Sequence, residues 1–157
     1  MPPKVLGGIN DMWFRWVVDV GFTGPDKGEG GKYLLLPPGY RGEVPEGYHV
    51  VRSPTFNLWT PWRTFLEDGS PKPGVERVKK FTKIYPLSDA SKPARPGDFV
   101  DFSGKPFSTI FPGDYQFWEL LNQVVQEEPA ESLDPIGLAS TGRLESRSAS
   151  RSRRTSG

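Results

Sequence analysis

Apolar and polar residues alternate in the first part of the chain. Between residues 12 and 20, Phe14, Trp16, Val18 and Val20 fall on one side, and Trp13, Arg15, Val17 and Asp19 on the other. A period of two with aromatic and β-branched side chains predicts a half-buried strand. Ahead of it, Pro2 and Pro3 make a stiff lead-in, and Gly7 and Gly8 predict a loop. Behind it comes DVGFTGPDKGEGGKYLLLPPGY, residues 19–40, where Gly24, Gly28, Gly30 and Gly31 predict a connection with special backbone angles. A short strand from 32 to 36 leaves that connection, and Pro38-Gly39 has the chemistry of a type II turn.

Further strands are expected at 47–52 (GYHVVR) and 55–66 (TFNLWTPWRTFL). Pro61 donates no backbone hydrogen bond, so the second of these must lie at an edge or bulge there. Glu67-Asp68-Gly69-Ser70 reads as a turn. The period then changes. Val75, Val78 and Phe81 share one helical face, which predicts a short helix near 74–82, with a brief strand at 83–86. Residues 88–97 read as a linker, and 99–107 as a small hairpin around Ser103-Gly104. Asp114 is placed to cap a helix near 115–128 with Phe117, Trp118, Leu121, Val124 and Val125 on one face and Pro129 at its end. Asp134-Pro135 resembles another helix start. The fold class expected is therefore mostly β, an incomplete β-sandwich, with these two helices. The expected organisation is a β-rich part over 1–87, a linker, hairpin and helix over 88–139, and a disordered tail over 140–157.

Composition adds to this picture in three ways. With 18 Gly, 17 Pro and 13% aromatic residues, the chain suits short strands and elaborate turns better than a bundle of helices. The last 18 residues carry five Arg and one Glu, a net +4, which leaves the preceding body at −3 within a formal total of +1. An acidic body argues against a nucleic-acid surface on the folded part. No cysteine is present, so thiol catalysis, disulfides and Cys-based zinc sites are excluded. No apolar run reaches the roughly 18 residues of a membrane span, and the first residues lack a signal-peptide pattern.

Candidate chemistry is sparse. Gly30-Gly31-Lys32-Tyr33 resembles a phosphate loop only superficially: the glycine spacing is wrong, Tyr33 stands where Ser or Thr is needed, and a strand follows. His49 is the sole histidine, and no carboxylate cluster around it has metal-ligand spacing. Asp11, Asp19, Asp26 and Glu29 lie close in sequence, without calcium-loop spacing, so turn capping is the favoured role. Arg15 is placed to pair with one of these acids. Trp13, Trp59, Trp62 and Trp118 suit core and interface packing better than a stacking platform. The ligand or interface candidates are Arg15, Asp19, Asp26, Lys32, His49, Trp59 and Arg63. No catalytic residue, metal or cofactor is assigned.

The strings VLGGINDMWFRWVVDVGFTGPDKGEGGKYLLLPPGYRGEVPEGYHVVRSPTFNLW, KPGVERVKKFTKIYPL and SGKPFSTIFPGDYQFWELLNQVVQEEPAESLDP resemble the bacterial family called domain of unknown function 1254. The resemblance covers residues 2–135. It implies a β-sandwich domain followed by a companion β-rich domain (domain of unknown function 1214), in proteins many of which are exported to the periplasm. It supplies no reaction and no catalytic residues. At both ends the chain departs from the family pattern, so an internal fragment with a frameshifted or vector-like tail is expected. The expected function is a binding or assembly module whose partners are the companion domain and, in a homo-oligomer, further copies. The alternative is an enzyme with its site between the two domains, drawing on Asp19, Asp26, His49 or Arg63.

Overall fold

The computed structural model describes residues 1–93 and 97–133. The Arg/Ser tail and the Asp134-Pro135 helix start lie outside the described residues, as does part of the 88–97 linker. The centre of the fold is strand β1, Val5–Asp11, where a loop is predicted from Gly7 and Gly8. It pairs antiparallel with β2 (Trp16–Gly21) on one side. On the other side it pairs with β5 (Leu58–Trp59) and β6 (Trp62–Thr64). The glycine at position 7 is what lets β6 approach. A Cβ there would collide with the Pro61 carbonyl oxygen. Residues 55–66 break at Pro61 into β5 and β6, as its missing N–H requires.

The strand expected at 12–20 is shorter than predicted. Residues 12–15 form the turn between β1 and β2, with Phe14 at a φ of 62°. Phe14 and Trp16, which the alternation groups with Val18 and Val20, are 68% and 66% exposed. A second ladder joins β3 (Tyr33–Leu36) to β4 (His49–Arg52) in parallel register, Tyr33 beside His49 and Leu36 beside Arg52. Cross-strand partners share a face. Val5, Gly7, Ile9, Val18, Val20, Trp62 and Thr64 thus lie on one face of the larger sheet. Val5, Ile9 and Val20 from that face are buried, as are Leu34 and Leu36 of the smaller ladder and Val51, which lies on that ladder's other face beside Leu35.

Helix α1, Lys72–Phe81, matches the predicted helix. It follows a turn in which Asp68 and Gly69 both have positive φ. Gly74 seats it on the sheet, since a Cβ at that position would overlap the Thr64 side chain. Helix α2, Gln116–Glu127, also matches, with the Asp114 carboxylate accepting the Gln116 N–H at 3.0 Å. Its predicted apolar face is only half-buried, and Trp118 is exposed.

Two expected elements are absent. Residues 83–86 form no strand, and at 99–107 only the Ser103-Gly104 turn closes, with the Lys105 N–H donating to the Phe102 oxygen at 3.0 Å. The Phe102 and Phe107 rings meet at 5.8 Å with no strand pairing between the segments that carry them.

Strands and helices each make up 22% of the described residues. The architecture is antiparallel strands with a parallel two-strand ladder and two helices, and it is not a closed barrel. The second ladder is two-stranded and parallel, where a sandwich would place a second antiparallel sheet.

Candidate functional site

The glycine-rich connection after β2 winds around the carboxylate of Asp26, which is 5% exposed. One oxygen accepts the Gly21 N–H at 2.8 Å and the Tyr33 hydroxyl at 2.5 Å; the other accepts the Gly30 N–H at 3.1 Å. Gly21, Gly28 and Gly30 all hold positive φ, so the chain turns back often enough to bring these donors to one point. Burial, and then the hydrogen bond to Asp26, push the Tyr33 phenol well above its ordinary value of 10.0. The phenol is therefore a donor at neutral pH. His49 packs on Tyr33 with ring centroids 5.0 Å apart. Gly31 separates His49 from Asp26: a Cβ there would stand 3.0 Å from the imidazole Nε2 and 3.6 Å from the Asp26 Cβ.

A second carboxylate organises the turn between β1 and β2. Asp11 is fully buried and accepts the N–H groups of Trp13 and Arg15, both at 2.9 Å. The Arg15 guanidinium adds a 2.7 Å ion pair. This is the acid partner expected for Arg15, and Asp11 supplies it. The Arg15 side chain is 48% exposed, so solvent screens the pair. Arg15→Met should lower stability by less than about 1 kcal/mol in urea unfolding. A loss above about 2 kcal/mol would show the pair to be shielded from solvent.

The remaining candidates are dispersed. Asp19 accepts the Trp16 indole N–H at 3.1 Å. Asp19 pairs with Gly8 and Arg63 with Leu6, which puts both on the sheet face opposite the core with β1 between them. Lys32 lies over the Tyr48 ring at 5.7 Å. The tryptophans do not form a shared platform. Trp59 packs on Phe14 at 5.0 Å, Trp118 on Phe117 at 5.2 Å, and Trp13 donates to the Ser132 hydroxyl at 2.9 Å. The fourth, Trp62, lines a groove of about 790 Å³ bounded by β1, β3 and the segment after α1.

Residues that sequence reasoning passed over include Glu128. It is 6% exposed and accepts the N–H groups of Phe56 at 2.6 Å and Asn57 at 3.0 Å, plus the Asn57 side-chain amide at 2.9 Å. With the Trp13–Ser132 bond, it clips the end of α2 to the sheet loops. Two of its three donors are backbone N–H groups, which carry no residue signature. Among the described residues, no group of three or more His, Cys, Asp or Glu is placed to hold a metal ion. Nor is any helix among them long and apolar enough to cross a membrane.

Residues 1–86, more than half of the 157, match the family described as Protein of unknown function (DUF1254). The chain belongs to that family. The DUF1254 match takes in Asp11, Asp26, Tyr33, His49 and Trp62, whereas α2, Glu128 and Ser132 lie beyond it. No curated protein matches the chain.

Proposed function

We propose that this DUF1254 chain is a binding and assembly module whose open faces are covered by further polypeptide. The supporting observation is an imbalance of apolar surface. Six hydrophobic residues form the buried core of the described chain, whereas 22 large hydrophobic residues are exposed. Scattered surface apolar residues are ordinary in a monomer, but contiguous patches mark an interface. Here they include paired rings, Phe14 on Trp59 and Phe22 on Phe65, and the half-buried face of α2. The occupant we favour is the companion β-rich domain implied by the family resemblance, its strands completing a sandwich over the larger sheet. Export of the parent protein belongs to the same proposal.

A catalytic reading has less support. Both oxygens of Asp26 are committed to donors, and Asp19 and Arg63 lie on the far face of the sheet from the core. Of the four residues on which that reading draws, His49 alone stands beside the Asp26 loop with no such commitment.

Sedimentation velocity over a range of concentrations tests the proposal. The chain alone should self-associate progressively, and adding the companion domain in trans should replace those species with a defined heterodimer. A monomer at every concentration that ignores the companion domain would overturn it.

A further inference from the structure

The groove beside β3 holds two polar atoms that the fold leaves without partners. Trp62 Nε1 and Thr82 Oγ1 are both buried and make no hydrogen bond within the described chain. Thr82 is only 5% exposed. Both residues line the same groove, Trp62 from the sheet side and Thr82 from the end of α1. A buried donor without an acceptor is costly, and native proteins rarely keep one without a use. Two such atoms on residues that line one groove point to a molecule that brings acceptors to them.

The rest of the wall narrows the chemistry. Ile9, Leu34, Tyr48 and Phe81 make it largely apolar, and Lys32, Lys83 and the Met1 α-ammonium, which donates to the Gly31 oxygen, outweigh the anion of Glu29. The volume suits a small molecule. An indole N–H can only donate, and a threonine hydroxyl can donate as readily. A carboxylate satisfies donors without needing any in return, and the lysines favour its charge. We propose that this groove binds a small monocarboxylate with an apolar body, its carboxylate held by Trp62 Nε1 and Thr82 Oγ1 and its charge offset by Lys32 and Lys83. Both atoms are closed off from solvent, so seating the ligand moves the irregular segment 82–86 outward from the sheet.

Calorimetric titration of the full chain with decanoate, and in parallel with the uncharged decanol, tests this. Decanoate should bind saturably with a Kd below about 1 mM, and decanol about tenfold more weakly. Trp62→Phe and Thr82→Val should each weaken decanoate binding about tenfold. Thr82→Val should not lower the melting temperature of the unliganded chain, because it removes an unsatisfied polar atom and nearly keeps the shape. Trp62→Phe also gives up indole packing, so it is read by its loss of preference for decanoate over decanol. Arg15→Met, far from the groove in its contacts, should leave the affinity unchanged. The proposal fails if decanoate does not saturate near 1 mM. It fails equally if decanol binds as tightly, or if both groove variants bind decanoate as the parent chain does. That last result would mean internal water satisfies the two atoms.

Discussion

Replacing Asp26 with Ala should lower the stability of the folded chain by about 3 kcal/mol, measured by urea unfolding with near-ultraviolet circular dichroism. Three donors lose their acceptor together: the Gly21 and Gly30 N–H groups and the Tyr33 hydroxyl. The Gly21 N–H is buried, so water cannot replace the lost bond cheaply. Asp26→Asn should fall between the two, near 1–2 kcal/mol. With its oxygen toward Gly21 and Tyr33 it keeps two bonds but sets its amide against the Gly30 N–H. The order Ala, Asn, Asp therefore tests the geometry as well as the size of the effect. An unchanged unfolding midpoint in Asp26→Ala would remove Asp26 from its structural role. If activity of a full-length parent were lost in that same variant, the catalytic reading would take its place.

Tyr33 extends this test into pH. Its phenol is held protonated above the ordinary value of 10.0, so the folded chain keeps a proton that the unfolded chain releases. Stability is fully present below about pH 10 and falls as pH rises beyond it, because the unfolded state then binds fewer protons. Tyr33→Phe removes that contribution. The difference between the parent chain and Tyr33→Phe isolates it, since the other tyrosines and the lysines titrate in both. The parent should lose stability more steeply above pH 10 than the variant does.

Much of this site was legible because glycine and carboxylate speak through local rules. The run from Gly24 to Gly31 announced a connection with unusual angles, and Asp26 within it is the kind of residue that binds nearby backbone donors. Pro61 likewise announced the break between β5 and β6. The central strand was not legible. VLGGIND offers two glycines where alternation should appear, and the reason for Gly7 is an approaching carbonyl some 54 residues away in sequence, at Pro61. Periodicity over 12–20 misled for a related reason. Asp11 pins the Trp13 and Arg15 N–H groups, which forces Phe14 into the left-handed region and turns the first part of the predicted strand into a hairpin loop. Such determinants are contacts between distant residues or between side chain and backbone, and a one-dimensional pattern does not record them. Trp62 and Thr82 were invisible for the opposite reason: their significance lies in contacts they do not make.

Glu128→Ala carries the second large effect, a loss of about 2–3 kcal/mol in the same unfolding experiment. The carboxylate spans a boundary drawn from composition at residues 87 and 88. It sits at the end of α2, yet all three of its donors belong to Phe56 and Asn57 in the sheet loops. If the chain were two independent parts, cutting this clip would loosen α2 and leave the β-rich part melting as before. The bonding pattern predicts otherwise. The Phe56 and Asn57 N–H groups lose their acceptor inside the β-rich part itself, next to Thr55, which is fully buried and accepts the Met12 N–H at 3.1 Å. The loss should therefore appear as one cooperative transition shifted to lower urea, with hydrogen exchange accelerated at residues 55–59 as well as along α2. Two separated transitions, with only the helix affected, would restore the division at residue 87. A single shifted transition would place the end of α2 in the same folding unit as the DUF1254 strands, although the family match ends at residue 86.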